Sequence, residues 1–159
     1  MRYLDKEKWN TQNRCKARGA AVVEFALLLI LLLMIVAGVI EFGRTFWYYD
    51  ALTKATRDGA RFLSNAKSET SPPAIDDTLK DQAVDMVEAA ATAANVPNFL
   101  TTDVEVTCDP NCDTPIYVTV SINAYPITIG GWIPIFVPTG TTTTWSATLS
   151  PYTTMRYMR

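Results

Sequence analysis

The chain has 159 residues, enough for one domain and an anchor, and no histidine, which excludes histidine acid–base catalysis and histidine metal ligands. Its net charge of −2 is unevenly spread: residues 1–19 hold six basic and two acidic side chains, and the other 140 hold eight basic and fourteen acidic. An acidic body argues against nucleic acid as the main partner.

Residues 1–19 are polar and basic, with Arg2, Lys6, Lys8, Arg14, Lys16 and Arg18, and read as a disordered leader. They abut an apolar run, Ala20–Ile40, of 21 residues with one charge, Glu24. As a helix this run is long enough to cross a hydrocarbon core of about 30 Å. The basic flank holds the leader in the cytoplasm and sends the acidic body outward. Phe46, Trp47, Tyr48 and Tyr49 lie just beyond the run, where aromatic side chains favour the membrane interface. An ionised carboxylate at the centre of a span costs ~2.5–3.5 kcal/mol on insertion scales. Glu24 is one turn from the start and can reach back toward the headgroups.

No proline occurs between residues 20 and 71, so the helix can continue past the membrane. Phe42, Phe46, Tyr49, Leu52, Thr56, Ala60 and Leu63 recur at helical spacing, with Glu41, Arg44, Asp50, Lys54, Arg57, Asp58 and Arg61 mostly between them. The span and its amphipathic extension are assigned to 20–66. Gly38, Gly43 and Gly59 are either bends or close-packing points. Residues 67–75, with Pro72 and Pro73, form a linker. A second helix is expected from about Asp76 to Asn95, capped by Asp76 or Asp77, with Leu79, Ala83, Met86, Val87, Ala90 and Ala94 as its apolar stripe and "NVPNF" as its stop.

The period then changes to two. Val104, Val106 and Cys108 alternate with polar residues, as do Ile116, Val118, Val120 and Ile122, and later Thr141 to Leu149. Three strands in one antiparallel sheet on two helices make an α+β body over 76–159. Tyr125–Pro138, "YPITIGGWIPIFVP", is apolar but broken by prolines. It either covers the sheet or offers a contact to a partner or membrane, and the need of a small domain for apolar burial favours the first.

Cys108 and Cys112, in "CDPNC", fall in the exported part, where a local disulfide can form, while Cys15 falls in the leader. Two cysteines without histidine leave zinc short of ligands, and three intervening residues do not make a thioredoxin-like pair. No metal or other cofactor is implied. The carboxylates show no pattern that sets a pair against a nucleophile; Asp81, Asp85 and Glu88 lie along one helix face, as a solvated face does. No G-x-S-x-G or Ser–Lys motif stands out, so no enzyme chemistry is expected.

The leader, Gly19, four small or apolar residues, Glu24 and Phe25 together resemble the processing site of type IV pilin precursors. "RGAAVVEFALLL", "IEFGRTF", "ALTKATRDGAR" and "WSATLSPYTTMRY" are similar to the pattern of the TadE-like pseudopilins of the Flp (tight adherence, Tad) pilus system. The likeness is best over residues 18–63 and weaker in the sheet. It implies cleavage by a prepilin peptidase between Gly19 and Ala20, glycine permitting close backbone approach by the peptidase. The ammonium freed at Ala20 would pair with Glu24 of its own or a neighbouring chain, fixing register between parallel helices, with Phe25 packing beside it. The implied partners are the peptidase, other pilin-like subunits, the inner-membrane assembly platform and the bacterial inner membrane itself, with the N-terminus cytoplasmic and the body extracytoplasmic.

Two other readings of the same residues stay open. A secretory signal peptide could be cut after Val36-Ala37-Gly38, leaving a soluble product that starts near Val39. An uncleaved single span could carry an exported binding domain unrelated to pili.

Overall fold

The computed structural model describes residues 4–66, 74–130 and 144–158, with side chains from Gly19 onward. Residues 67–73 of the proposed linker, residues 131–143 after Gly130 and the side chains of the basic leader lie outside the described residues. The chain divides into two compact units, Met1–Ile40 and Glu41–Arg159.

One helix, α1, runs Leu4–Asn65 through both units. Over Ala20–Ile40 its side chains are almost all exposed, and its most apolar window has none of its residues buried. From Glu41 onward one face turns inward. Leu52, Ala55, Thr56, Ala60 and Leu63 are buried, at the three- and four-residue steps that place side chains on one helical face. The helix α2, Asp77–Ala93, is capped by Asp76, whose Oδ1 accepts the Leu79 N–H at 2.8 Å. It ends in a Schellman closure. Val96 N–H reaches Ala91 O, Asn95 N–H reaches Thr92 O, and Asn95 takes a left-handed φ of 56°. Ala83, Val87 and Ala91 form its buried face, while Met86, assigned to the stripe from sequence, is exposed.

Among the described residues five strands follow: β1 Val104–Asp109, β2 Tyr117–Ile122, β3 Tyr125–Ile129, β4 Trp145–Leu149 and β5 Tyr152–Arg156. The three-stranded antiparallel sheet expected from sequence is present, in the order β1-β2-β5, but its third member differs. The strand expected at Thr141–Leu149 is β4, described from Trp145 on, and it pairs with β3 in a separate two-stranded sheet (Tyr125↔Leu149 through Ile129↔Trp145). The place beside β2 belongs to β5, with Val118 opposite Met155 and Val120 opposite Thr153. β5 shows little alternation in sequence because its two inward residues, Thr153 and Met155, are not strongly apolar. β3 contains Pro126, which removes a ladder donor, yet among the described residues β3 has one partner strand and so one edge that needs no donor.

The core of the Glu41–Arg159 unit lies where α1, α2 and the sheets meet, with Val118, Val120 and Ile122 of β2 beneath the helices and Tyr125, Ile127 and Leu149 closing one side. Gly59 marks the tightest approach: a Cβ there would sit 3.0 Å from Val87 Cγ2 and 3.7 Å from Val120 Cγ1. It is a close-packing point between the two helices and the sheet. Gly38 and Gly43, by contrast, face open space. The C-terminal stretch clamps the end of α1. Met158 N–H donates to Ser64 O, the buried Tyr157 hydroxyl donates to Ala66 O at 2.9 Å, and the Thr56 and Thr153 hydroxyls meet at 3.2 Å.

Candidate functional site

Two glutamates on α1 define the chemistry of this helix. Glu24 and Phe25 are both exposed on the apolar half, one turn from its start. Among the described residues Glu24 has no ionic partner. Gly19 has no atom within 4 Å of where a Cβ would be, so the backbone at Gly19–Ala20 is open to approach from its side-chain direction. Gly19 and Ala20 are themselves in continuous helix.

Glu41 is the opposite case. It directly follows Ile40, the last residue of the apolar run, and is 2 % exposed. Its Oε1 accepts the Arg44 Nη2 at 2.6 Å and the backbone N–H of Gly130 at 3.1 Å. A buried carboxylate needs such donors, because desolvation of an unpaired charge outweighs any gain from burial. Gly130 sits directly after β3 with φ 90°, a conformation that glycine adopts without strain. Helix geometry brings Arg44 within reach of Glu41, three residues away on the same face. The Glu41 carbonyl also accepts the Thr45 hydroxyl at 3.1 Å. Sequence periodicity set Glu41 and Arg44 among the outward residues and Phe42, Phe46 and Tyr49 on the inward stripe. The structure reverses this: Phe42, Phe46 and Tyr49 are exposed, and Glu41, with Tyr48 partly buried, continues the inward face of Leu52 and Ala55. The only signal that could have shown the reversal is the phase of Leu52, Ala55 and Leu63 extrapolated backward in steps of 3.6 residues.

Outside the helix, Cys108 and Cys112 form a disulfide that joins the end of β1 to the loop before β2. Cys112 O accepts the Ile75 N–H at 2.8 Å, so the same turn holds the approach to α2. Asn111 Oδ1 accepts both the backbone N–H and the hydroxyl of Thr114, which shapes the rest of the turn. The hydroxyl of Tyr125 donates to Pro97 O, and its ring packs on Phe99 at 5.5 Å. Burial, with the nearby charge of Asp103, raises the Tyr125 phenol above its ordinary range.

Among the described residues no group of three or more His, Cys, Asp or Glu side chains is placed to hold a metal. A shallow open depression lies between Pro115, Ile116, Arg156, Tyr157 and Met158. It presents one cation and a tyrosine already committed to Ala66 O, with no nucleophile beside a base. The described residues thus present an exposed apolar helix continuous with a small folded body.

Comparison with known proteins places the likeness on that helix. No curated protein and no solved structure matches the chain significantly. The model of the TadE-like protein family matches residues 19–61, from the open glycine through the exposed span and past the buried Glu41 to Arg61. Over that helix, and over about a quarter of the chain's length, the sequence is similar to TadE-like proteins.

Proposed function

We propose that this chain is a minor pilin, or pseudopilin, of the Flp/Tad pilus assembly machinery, structural or priming in role and without chemistry of its own. A prepilin peptidase cuts between Gly19 and Ala20 on the cytoplasmic face of the inner membrane. The span then holds the body on the extracytoplasmic side. The observation that carries this reading is the start of the family match at Gly19, followed at five residues by the exposed Glu24. Cleavage leaves an α-ammonium at Ala20, and in lipid a charge pair between it and Glu24 is far less costly than either charge alone. Pilin-like helices in lipid gain little from apolar surface by itself, so a polar pair and close fit are what hold them in register.

The test is the mature N-terminus, by intact mass of membrane-extracted protein from cells with and without active prepilin peptidase. A chain beginning at Ala20 only where the peptidase is active supports the proposal. A chain beginning near Val39 in both cells replaces it with a secreted soluble domain. Full-length protein in both replaces it with an ordinary anchored binding domain.

A further inference from the structure

The Glu41–Gly130 contact has a second consequence. Glu41 adjoins the end of the apolar run by chain connectivity, and its carboxylate holds the N–H of Gly130 at 3.1 Å. Gly130 directly follows Ile129, and Ile129 is paired with Trp145 across the β3–β4 hairpin. The loop end of that hairpin is therefore tied to the first residue after the apolar run. Trp145 is 73 % exposed there, although the alternation of its strand would have it inward. On the first two turns of α1 past Ile40, Phe42, Phe46 and Trp47 are each more than 60 % exposed, and the rings of Phe42 and Phe46 stack at 6.5 Å. Among the described residues, four large aromatic side chains from segments about a hundred residues apart are thus exposed at one end of the folded unit.

We infer that this end is a lipid-docking surface: Trp145 on the hairpin, together with Phe42, Phe46 and Trp47 on the helix, sits in the headgroup interface of the bilayer that the span crosses, and Glu41 is the positioning residue that holds the hairpin there. Continuity with the span names the occupant, since a chain whose residues 20–40 cross a bilayer must bring Glu41 and its contacts to that bilayer's surface. Chemistry agrees. Tryptophan and phenylalanine combine apolar area with a ring that tolerates the wet boundary, which is why such residues gather at membrane interfaces. A carboxylate would be costly at that boundary unless internal donors hold it, as Arg44 and Gly130 do. The inference rests on residues 20–40 lying in a bilayer and is independent of any role in a pilus.

The chain has four tryptophans, Trp9, Trp47, Trp132 and Trp145, so two single-tryptophan proteins can be made by Trp→Phe changes at the other three. One keeps Trp145 and the other keeps Trp47. Each full-length protein is reconstituted in phosphatidylethanolamine/phosphatidylglycerol vesicles, with bromine on the lipid chains at graded depths or with aqueous iodide as quencher. The expected result is quenching of Trp145 by the shallow brominated lipid, comparable to that of Trp47, with protection from iodide. With Glu41→Ala in the Trp145 reporter, lipid quenching falls and iodide quenching rises, while the same change leaves the Trp47 reporter as it was. Trp145 open to iodide and untouched by lipid overturns the inference while leaving the span intact, provided Trp47 is lipid-quenched. Trp145 protected from both quenchers also overturns it and assigns the ring to a protein contact. Failure of lipid to quench either tryptophan overturns both the inference and the reading of the span.

Discussion

The two halves of α1 differ in what surrounds them, and each half carries one glutamate near its start. In residues 20–40 the helix side chains are exposed almost throughout, and Glu24 is exposed among leucines, isoleucines and valines. In residues 41–65 the same helix buries one face against α2 and β2, and Glu41 is buried with two donors on one oxygen. A carboxylate in a water-poor setting needs a partner in both cases. The chain supplies one for Glu41 from its own Arg44 and Gly130. For Glu24 the described residues supply none, and under the proposed function a neighbouring subunit or the freed Ala20 ammonium would do so. Polarity alone therefore does not tell which glutamate the fold itself satisfies; the location of the donors does.

The contrast predicts opposite phenotypes for the two glutamates. Replacing Glu24 by alanine should have the largest effect on assembly and almost none on folding. Loss of one member of a charge pair buried between helices leaves the other uncompensated, at a cost of ~3–5 kcal/mol. Incorporation into pilus assemblies, followed by co-purification with other subunits, should be lost. The melting temperature of the detergent-solubilised protein should stay at the wild-type value. A drop in that temperature would place the Glu24 partner within the chain and undo the contrast.

Glu41→Ala should show the reverse order. It leaves a buried peptide N–H at Gly130 and an arginine without its carboxylate. Hydrogen bonds to charged groups contribute ~1.5–3 kcal/mol each, so a loss of about 2–3 kcal/mol is expected in denaturant unfolding. Glu41→Gln keeps an acceptor for Gly130 and should lose less. Equal stability of all three proteins would show that the Gly130 contact contributes nothing.

How far the sequence announced this arrangement differs by element. The apolar run, its single charge and the long helix were legible because a bilayer demands an uninterrupted pattern. The start and stop of α2 were legible because Asp76 and Asn95 are cap residues by chemistry. β1 and β2 were legible from strict alternation, though Ile116, expected inward, lies outside β2 and is exposed. β3 was hidden by Pro126, whose cost disappears only when the partner count of the strand is known. β5 was hidden because only one of its two inward residues is apolar: Met155 packs on the core, while Thr153 is held by its hydroxyl contact to Thr56. Glu41 was misplaced because aromatics at 42, 46 and 49 give a stronger periodic signal than the true inward face, and that signal belongs to a second surface of the same helix. Hydropathy does not distinguish a side chain meant for the core from one meant for a membrane or a partner.

The glycines extend the contrast to packing. Gly59→Ala places a methyl 3.0 Å from Val87 Cγ2, in a core with a β-strand behind it. Overpacking of this kind costs about 1–3 kcal/mol, against a gain in helix propensity of about 1 kcal/mol. The net should be a loss, read as a lower midpoint in urea. Gly43 is in the same helix but faces open space, so Gly43→Ala should raise the midpoint through propensity alone. A pair of changes with the same sign would mean that α1 does not approach α2 as closely as the structure has it.

The smallest effect concerns Tyr125 and appears only in alkali. Burial raises its phenol above the ordinary value of 10.0, with the charge of Asp103 acting in the same direction. The folded state therefore binds this proton more tightly than the unfolded state does. The stability it contributes is fully present below the unfolded value and is lost as pH rises through the higher folded value. The neutral hydroxyl is also the donor to Pro97 O, so ionisation removes that bond together with the proton. Tyr125→Phe should lower stability by about 1 kcal/mol at neutral pH, the net worth of one hydrogen bond. Above pH 10 it should flatten the fall in stability that the wild-type protein shows. If the two proteins kept a constant difference through the alkaline limb, Tyr125 would not be the group whose ionisation strains the seam between the hairpin and the loop after α2, and the proton would have to be sought among the other tyrosines.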